Sequence, residues 1–183
     1  MVLFTISEII GVIVLTLYLG YLFSGMTTKK KFDKEDFKFS MMVAAPAVIL
    51  HEFSHKFTAL ILGFPSVFHV FYEEGFTLIL AGVSVLLKIV GSPFIFLIPG
   101  FVSIPGNVGV MDSGIIAFAG PLINLILWIG AGIYLKHGKR MTKRKMMLAY
   151  ATKRVNMILF IFNMLPFAPL DGEKVFNALF SLF

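Results

Sequence analysis

The chain contains no cysteine. That excludes a disulfide-stapled secreted module, a Cys-ligated zinc finger and an iron–sulfur centre, so a metal here must be held by nitrogen or oxygen donors. Charge is scarce too: of 183 residues only 14% are Asp, Glu, Lys or Arg, against about 25% in an ordinary soluble domain. Intrinsic disorder needs the opposite composition, low hydrophobicity with high charge. At 58% hydrophobic residues the chain carries more apolar surface than a globule of this size can bury, and an integral, multi-pass protein of the cell membrane is expected. The net charge of +6 does not point to nucleic acid. Most basic residues fall in two blocks between apolar runs, as in loops that flank a lipid bilayer.

A helix needs about 20 mostly apolar residues to cross hydrocarbon. Four stretches meet that need, at about 2–23, 39–62, 113–135 and 146–170. The first holds one acid, Glu8, and is too long and too lightly charged at its start for a cleaved leader, so it reads as a retained span. The block from Lys29 to Lys38 cannot sit in lipid and is expected as a surface loop. The second basic block comprises Lys136, Lys139, Arg140, Lys143, Arg144 and Lys145. Residues 64–112 are apolar yet broken by Lys88, Gly91, Pro93, Pro99, Gly100, Pro105 and Gly106. A hairpin of two spans, or a re-entrant piece shielded by protein, is expected there. The expected fold class is an all-α polytopic membrane protein with no repeat and no separate soluble domain.

The second stretch contains His51-Glu52-Phe53-Ser54-His55. Residues four apart on a helix are turned by about 40° and lie about 6 Å apart along the axis, so both imidazoles project from one face. This is H-E-x-x-H, in which two neutral histidines bind zinc and the glutamate serves as base toward the attacking water. Three ionisable side chains within five residues of an apolar helix demand compensation, at about 2.5–3.5 kcal/mol for each charged group at a helix centre. A polar cluster that only hydrogen-bonds between helices is the bland alternative.

A catalytic zinc takes three protein ligands and keeps one position open. Of the other histidines, His69 lies in the irregular segment and His137 in the basic loop, so neither is a good candidate. Asp171 closes the last apolar run, in Asn163-Met164-Leu165-Pro166-Phe167-Ala168-Pro169-Leu170-Asp171-Gly172. The prolines break the helix and Gly172 permits a sharp turn, so the carboxylate could be held inward at a chain break, or could simply end a helix at the surface. Glu173 is a weaker alternative ligand.

With these motifs in this order, the chain resembles the site-2 protease family of intramembrane zinc metalloproteases. That family carries H-E-x-x-H on one membrane helix and an N-x-x-P-x-x-x-L-D-G-like motif on a later one, here His51 to His55 and Asn163 to Gly172. Between them, Gly120-Pro121-Leu122-Ile123-Asn124 resembles the family's G-x-x-x-N motif. The resemblance covers about residues 39–180. It implies a three-helix metalloprotease core in 39–183, an additional N-terminal transmembrane helix in 1–25, and a re-entrant or β-like element within 64–112. It implies one catalytic Zn2+ held by His51, His55 and Asp171, Glu52 as general base, and Asn163 positioning the scissile carbonyl or its oxyanion. Asn124 reads instead as a packing residue that makes an interhelical hydrogen bond beside Gly120. The implied substrate is a transmembrane protein in the lipid bilayer. No inserted regulatory domain of the kind seen in some relatives is expected, so substrate selection is expected to fall to the membrane face or to an adaptor protein. The competing readings are a metal-binding transporter, a catalytically inactive relative acting as a binding partner, and a different H-E-x-x-H protease with a glutamate third ligand.

Overall fold

The computed structural model describes residues 3–25, 33–92, 100–138 and 140–183. Lys29, Lys30 and Lys31 of the first basic block, Pro93 and Pro99 of the irregular segment, and Lys139 lie outside the described residues. The chain is mostly helical, with α1 at Ile6–Phe23, α2 at Lys34–Ile61, α3 at Gly75–Ile89, α4 at Val110–His137, α5 at Lys143–Asn163 and α6 at Asp171–Phe180. Two short strands, β1 at Val67–Val70 and β2 at Gly100–Ser103, flank α3 in sequence. The residues divide into two compact units, Met1–Ala45 with Val67–Ser103, and Pro46–Ser66 with Ile104–Phe183. Helix α2 contributes its first turns to one and its remainder to the other.

In the first unit α1 begins at Ile6, four residues later than expected, because Thr5 caps it. The Thr5 hydroxyl accepts from the Glu8 backbone N–H, and the Glu8 carboxylate accepts from the Thr5 N–H at 2.8 Å. This reciprocal capping satisfies two donors that a helix start otherwise leaves unpaired. The other Glu8 oxygen accepts from the Phe68 N–H of β1 at 2.7 Å. The one acid of the first apolar run is thus buried and serves the backbone. Removing it in Glu8→Ala strands those buried N–H groups and is expected to cost about 1–3 kcal/mol, read as a lower unfolding midpoint of the detergent-solubilised protein. An unchanged midpoint would contradict that role.

The irregular segment is neither one helix nor a simple loop. Strands β1 and β2 pair antiparallel, Val67 opposite Ser103 and Val70 opposite Gly100. Gly100 is needed there because a Cβ would strike the Phe68 ring, 2.9 Å from its Cζ. His69 donates or accepts at both ring nitrogens, with Glu73 at 2.7 Å and Ser103 at 2.8 Å. Lys88, on α3, donates to the carbonyls of Leu22 and Ser24 at the end of α1.

The charged block is only partly a loop, which corrects the expectation for residues 29–38. From Lys34 it is already helix, since Asp33 accepts from the N–H groups of Glu35 and Asp36 at 2.8 and 3.2 Å and so starts α2. Acids in this first turn suit the positive end of the helix dipole.

In the second unit α4 packs on α5 and α6. Gly114 lets α6 approach, for a Cβ there would overlap Ala178, and Trp128 of α4 meets Phe160 of α5 with ring centroids 6.0 Å apart. The last apolar run is also corrected. Helix α5 stops at Asn163, not near 170, because Pro166 disfavours helical geometry in the residue before it and Pro169 has no N–H to give. Residues 164–170 turn through local hydrogen bonds such as Leu170 N–H to Phe167 at 2.9 Å, and α6 then starts at Asp171.

Candidate metal centre

The second unit brings together three of the residues singled out in the sequence. His51 and His55 sit one turn apart on α2, and Asp171 is the first residue of α6. His51 Nε2 is 3.0 Å from Asp171 Oδ2, His55 Nε2 is 3.3 Å from the same oxygen, and the two Nε2 atoms are 3.1 Å apart. These three atoms form a nearly equilateral triangle. Its edges are close to the roughly 3.3 Å that separates ligand atoms about 2.0 Å from a tetrahedral zinc. Among the described residues this is the group whose His, Asp and Glu donors converge in that way.

Each ring is held from behind. His51 Nδ1 lies 2.6 Å from Asn124 Oδ1, and His55 Nδ1 lies 2.7 Å from the Ile116 carbonyl, both on α4. Pro121 has no N–H to offer Ala117, so α4 is weakened next to the turn whose Ile116 carbonyl reaches His55. Gly120 allows the approach: a Cβ there would stand 2.7 Å from His51 Cε1 and closer still to the His55 ring. Both histidines are buried, at 6% and 8% exposure, so their inward nitrogens are shielded from bulk water.

Asp171 gains its position from the α5–α6 turn. Gly172 does not make the expected sharp turn; its role is closeness, since a Cβ would sit 2.6 Å from the Met164 carbonyl carbon. Its backbone lies within α6 and is absent from the positive-φ glycines of the described residues. Nor does Asp171 end a helix at the surface. At the start of α6 it meets the positive end of the helix dipole. Its Oδ2 atom meets the Nε2 atoms of both His51 and His55.

Glu52 is buried beside these residues at 5% exposure. Asn163 ends α5, half-buried, and its side chain makes no hydrogen bond among the described residues. Glu173 lies two residues beyond Asp171 and is not part of the converging group. His69 is occupied by Glu73 and Ser103, and His137 is exposed with Nδ1 toward its own helix at Ile133. Asn124 does make interhelical hydrogen bonds, but one of them goes to His51, which local sequence did not indicate. Asn156, fully buried on α5 and bonded to Asn124 at 2.8 Å, was missed altogether. Its signal was present: an uncharged polar residue within a largely apolar stretch looks for a partner.

A helix-borne H-E-x-x-H joined by a carboxylate from a later element has the donor chemistry of a zinc metalloprotease. The chain is 33% identical over 177 residues to the Methanocaldococcus jannaschii protein named "Putative zinc metalloprotease MJ0611", an alignment covering 94% of this chain and 84% of that one. The chain belongs to the family of that zinc metalloprotease. No family model matches it. No solved structure matches it either.

Proposed function

We propose that the protein is an intramembrane zinc endopeptidase of the site-2 type, which hydrolyses peptide bonds of transmembrane substrates. The observation that carries this reading is the converging triangle of His51 Nε2, His55 Nε2 and Asp171 Oδ2, with both histidines buried, on helices whose outer faces are apolar. On α4 the residues Ile115, Phe118, Leu122, Ile126, Ile129 and Ile133, spaced three or four apart, are all at least 36% exposed. Such a stripe is out of place in water and at home in lipid. Helices α1 and α4 are long and apolar enough to cross a bilayer. In this reading residues 1–25 supply the N-terminal membrane helix and residues 39–183 the protease core.

His51, His55 and Asp171 would hold the zinc through two nitrogens and one oxygen, the donor set of a catalytic zinc. Bound zinc supplies Lewis acidity that polarises a carbonyl and lowers the pKa of water. Glu52 takes the proton as water attacks the scissile carbonyl and delivers it to the leaving amine. Asn163, with its amide uncommitted to any described residue, donates to the oxygen on which charge develops. The substrate helix must unwind locally, because a hydrogen-bonded backbone hides its carbonyls. A membrane-embedded adaptor or the lipid-facing surface selects the substrate.

The test is cleavage of a reconstituted transmembrane substrate by the native protein and by Glu52→Gln, with zinc measured in both. Metal without cleavage in the native protein would favour a transporter or an inactive relative. Gly120→Ala offers a separate check. Its methyl displaces both imidazoles, so zinc retention against a chelator is expected to fall at least about tenfold, on the scale of losses caused by disturbing ligand orientation. Native zinc affinity in that variant would count against the site.

A further inference from the structure

The two ring nitrogens of a ligating histidine are not equivalent, and something must decide which one carries hydrogen. For His55 a backbone carbonyl decides, since the Ile116 oxygen can only accept and the Nδ1 facing it at 2.7 Å must donate. For His51 the partner is Asn124, and an amide could present either its oxygen or its nitrogen. The surrounding contacts remove that freedom. Asn156 Nδ2 faces the Thr152 carbonyl of its own helix at 2.8 Å, an acceptor only, so Asn156 must turn Oδ1 outward. Asn124 Nδ2 then donates to that Oδ1 at 2.8 Å and to the Ala47 carbonyl of α2 at 3.1 Å. A reversed Asn124 would set its oxygen against two acceptors. Asn124 Oδ1 is left facing His51 Nδ1 at 2.6 Å, which must therefore carry hydrogen, and Nε2 is the nitrogen presented toward His55 and Asp171.

We propose that Asn156 is a positioning residue for the metal centre: acting through Asn124, it fixes the hydrogen of His51 on Nδ1 and so aims Nε2 at the metal. The direction of the whole chain of hydrogen bonds is set by two backbone carbonyls, Thr152 on α5 and Ala47 on α2. Asn124 and Asn156 are both fully buried, so water cannot substitute for a missing partner. The assignment of Nδ1–H stands on these contacts alone. The consequence for zinc affinity rests on the metalloprotease reading.

The test uses the full-length protein in detergent micelles with 15N-labelled histidine. Native His51 is expected to show a protonated Nδ1 both without zinc and during zinc titration, with the zinc-dependent shift on Nε2. An unprotonated Nδ1 would overturn the proposal without any variant being needed. Asn156→Leu is expected to lower zinc affinity by about ten- to a hundredfold in competition with a chelator, with helix content unchanged by circular dichroism. Asn156→Asp, whose neutral carboxyl offers one donor and one acceptor in the same places, is expected to recover most of that loss. Equal zinc affinity in the native protein and the Leu variant, or a Leu variant that loses affinity with no recovery in Asp, would overturn the role of Asn156. A native protein with Nδ1–H on His51 but no affinity for zinc would instead end the metalloprotease reading and leave the hydrogen-bond assignment standing.

Discussion

Glu52→Gln is expected to lose about 10²- to 10⁴-fold in cleavage rate, the scale of a positioned general base, while keeping its zinc. Glutamine matches glutamate in shape but has no basic oxygen to take a proton at neutral pH. The metal should stay because the converging donors are His51, His55 and Asp171, and Glu52 is not among them. The measurement is an initial rate on a transmembrane substrate co-reconstituted in vesicles, with both proteins matched for zinc content by elemental analysis. Full activity in the variant would remove Glu52 from the mechanism. Loss of both activity and zinc would show instead that the carboxylate supports the metal, and the general-base role would have to be withdrawn.

Asp171→Ala should have the second large effect, on binding before chemistry. The substitution takes away the oxygen that lies 3.0 and 3.3 Å from the two imidazole nitrogens and leaves a two-nitrogen site. Partners that merely orient a ligand already cost about ten- to a hundredfold in metal affinity when lost, so removal of a direct ligand should cost more than a hundredfold. Chelator competition on the purified protein measures this. Unchanged affinity and stoichiometry would exclude Asp171 and return attention to a glutamate such as Glu173, the arrangement of the rival protease class. A Glu173→Ala variant run in parallel should retain zinc.

Much of the metal centre was legible from local pattern. His51 and His55 face the same way because a four-residue step on a helix is nearly a full turn, and α2 does run through both. The prolines of 164–170 announced a chain break, and α5 does end before them. Boundaries were less legible where a side chain decides them. Thr5 delays α1 and Asp33 advances α2 into the charged block, both by capping bonds that apolar periodicity does not register. The breaks of segment 64–112 are legible, but local pattern does not decide between a re-entrant piece and a hairpin of spans, since β1 and β2 pair across 29 intervening residues.

Two facts needed no structure: without cysteine, zinc could only meet histidine and carboxylate, and with so little charge the ionisable residues inside apolar runs had to be compensated. Both follow from composition and from the helical repeat, which act over a few residues. Local pattern leaves Asp171 open between an inward ligand and a surface turn; the tertiary structure brings its carboxylate to the histidines and sets which groups hold the rings from behind. Asp171 lies 120 residues from His51, Asn124 lies 73 from it, and Asn156 lies a further 32 beyond Asn124. No local periodicity links positions so far apart. Gly120 shows the same limit from the other side: its missing side chain matters only because two imidazoles from α2 occupy that space. Close packing of helices, which leaves no room for a methyl at one point and no water at another, turned a short motif into a three-sided site.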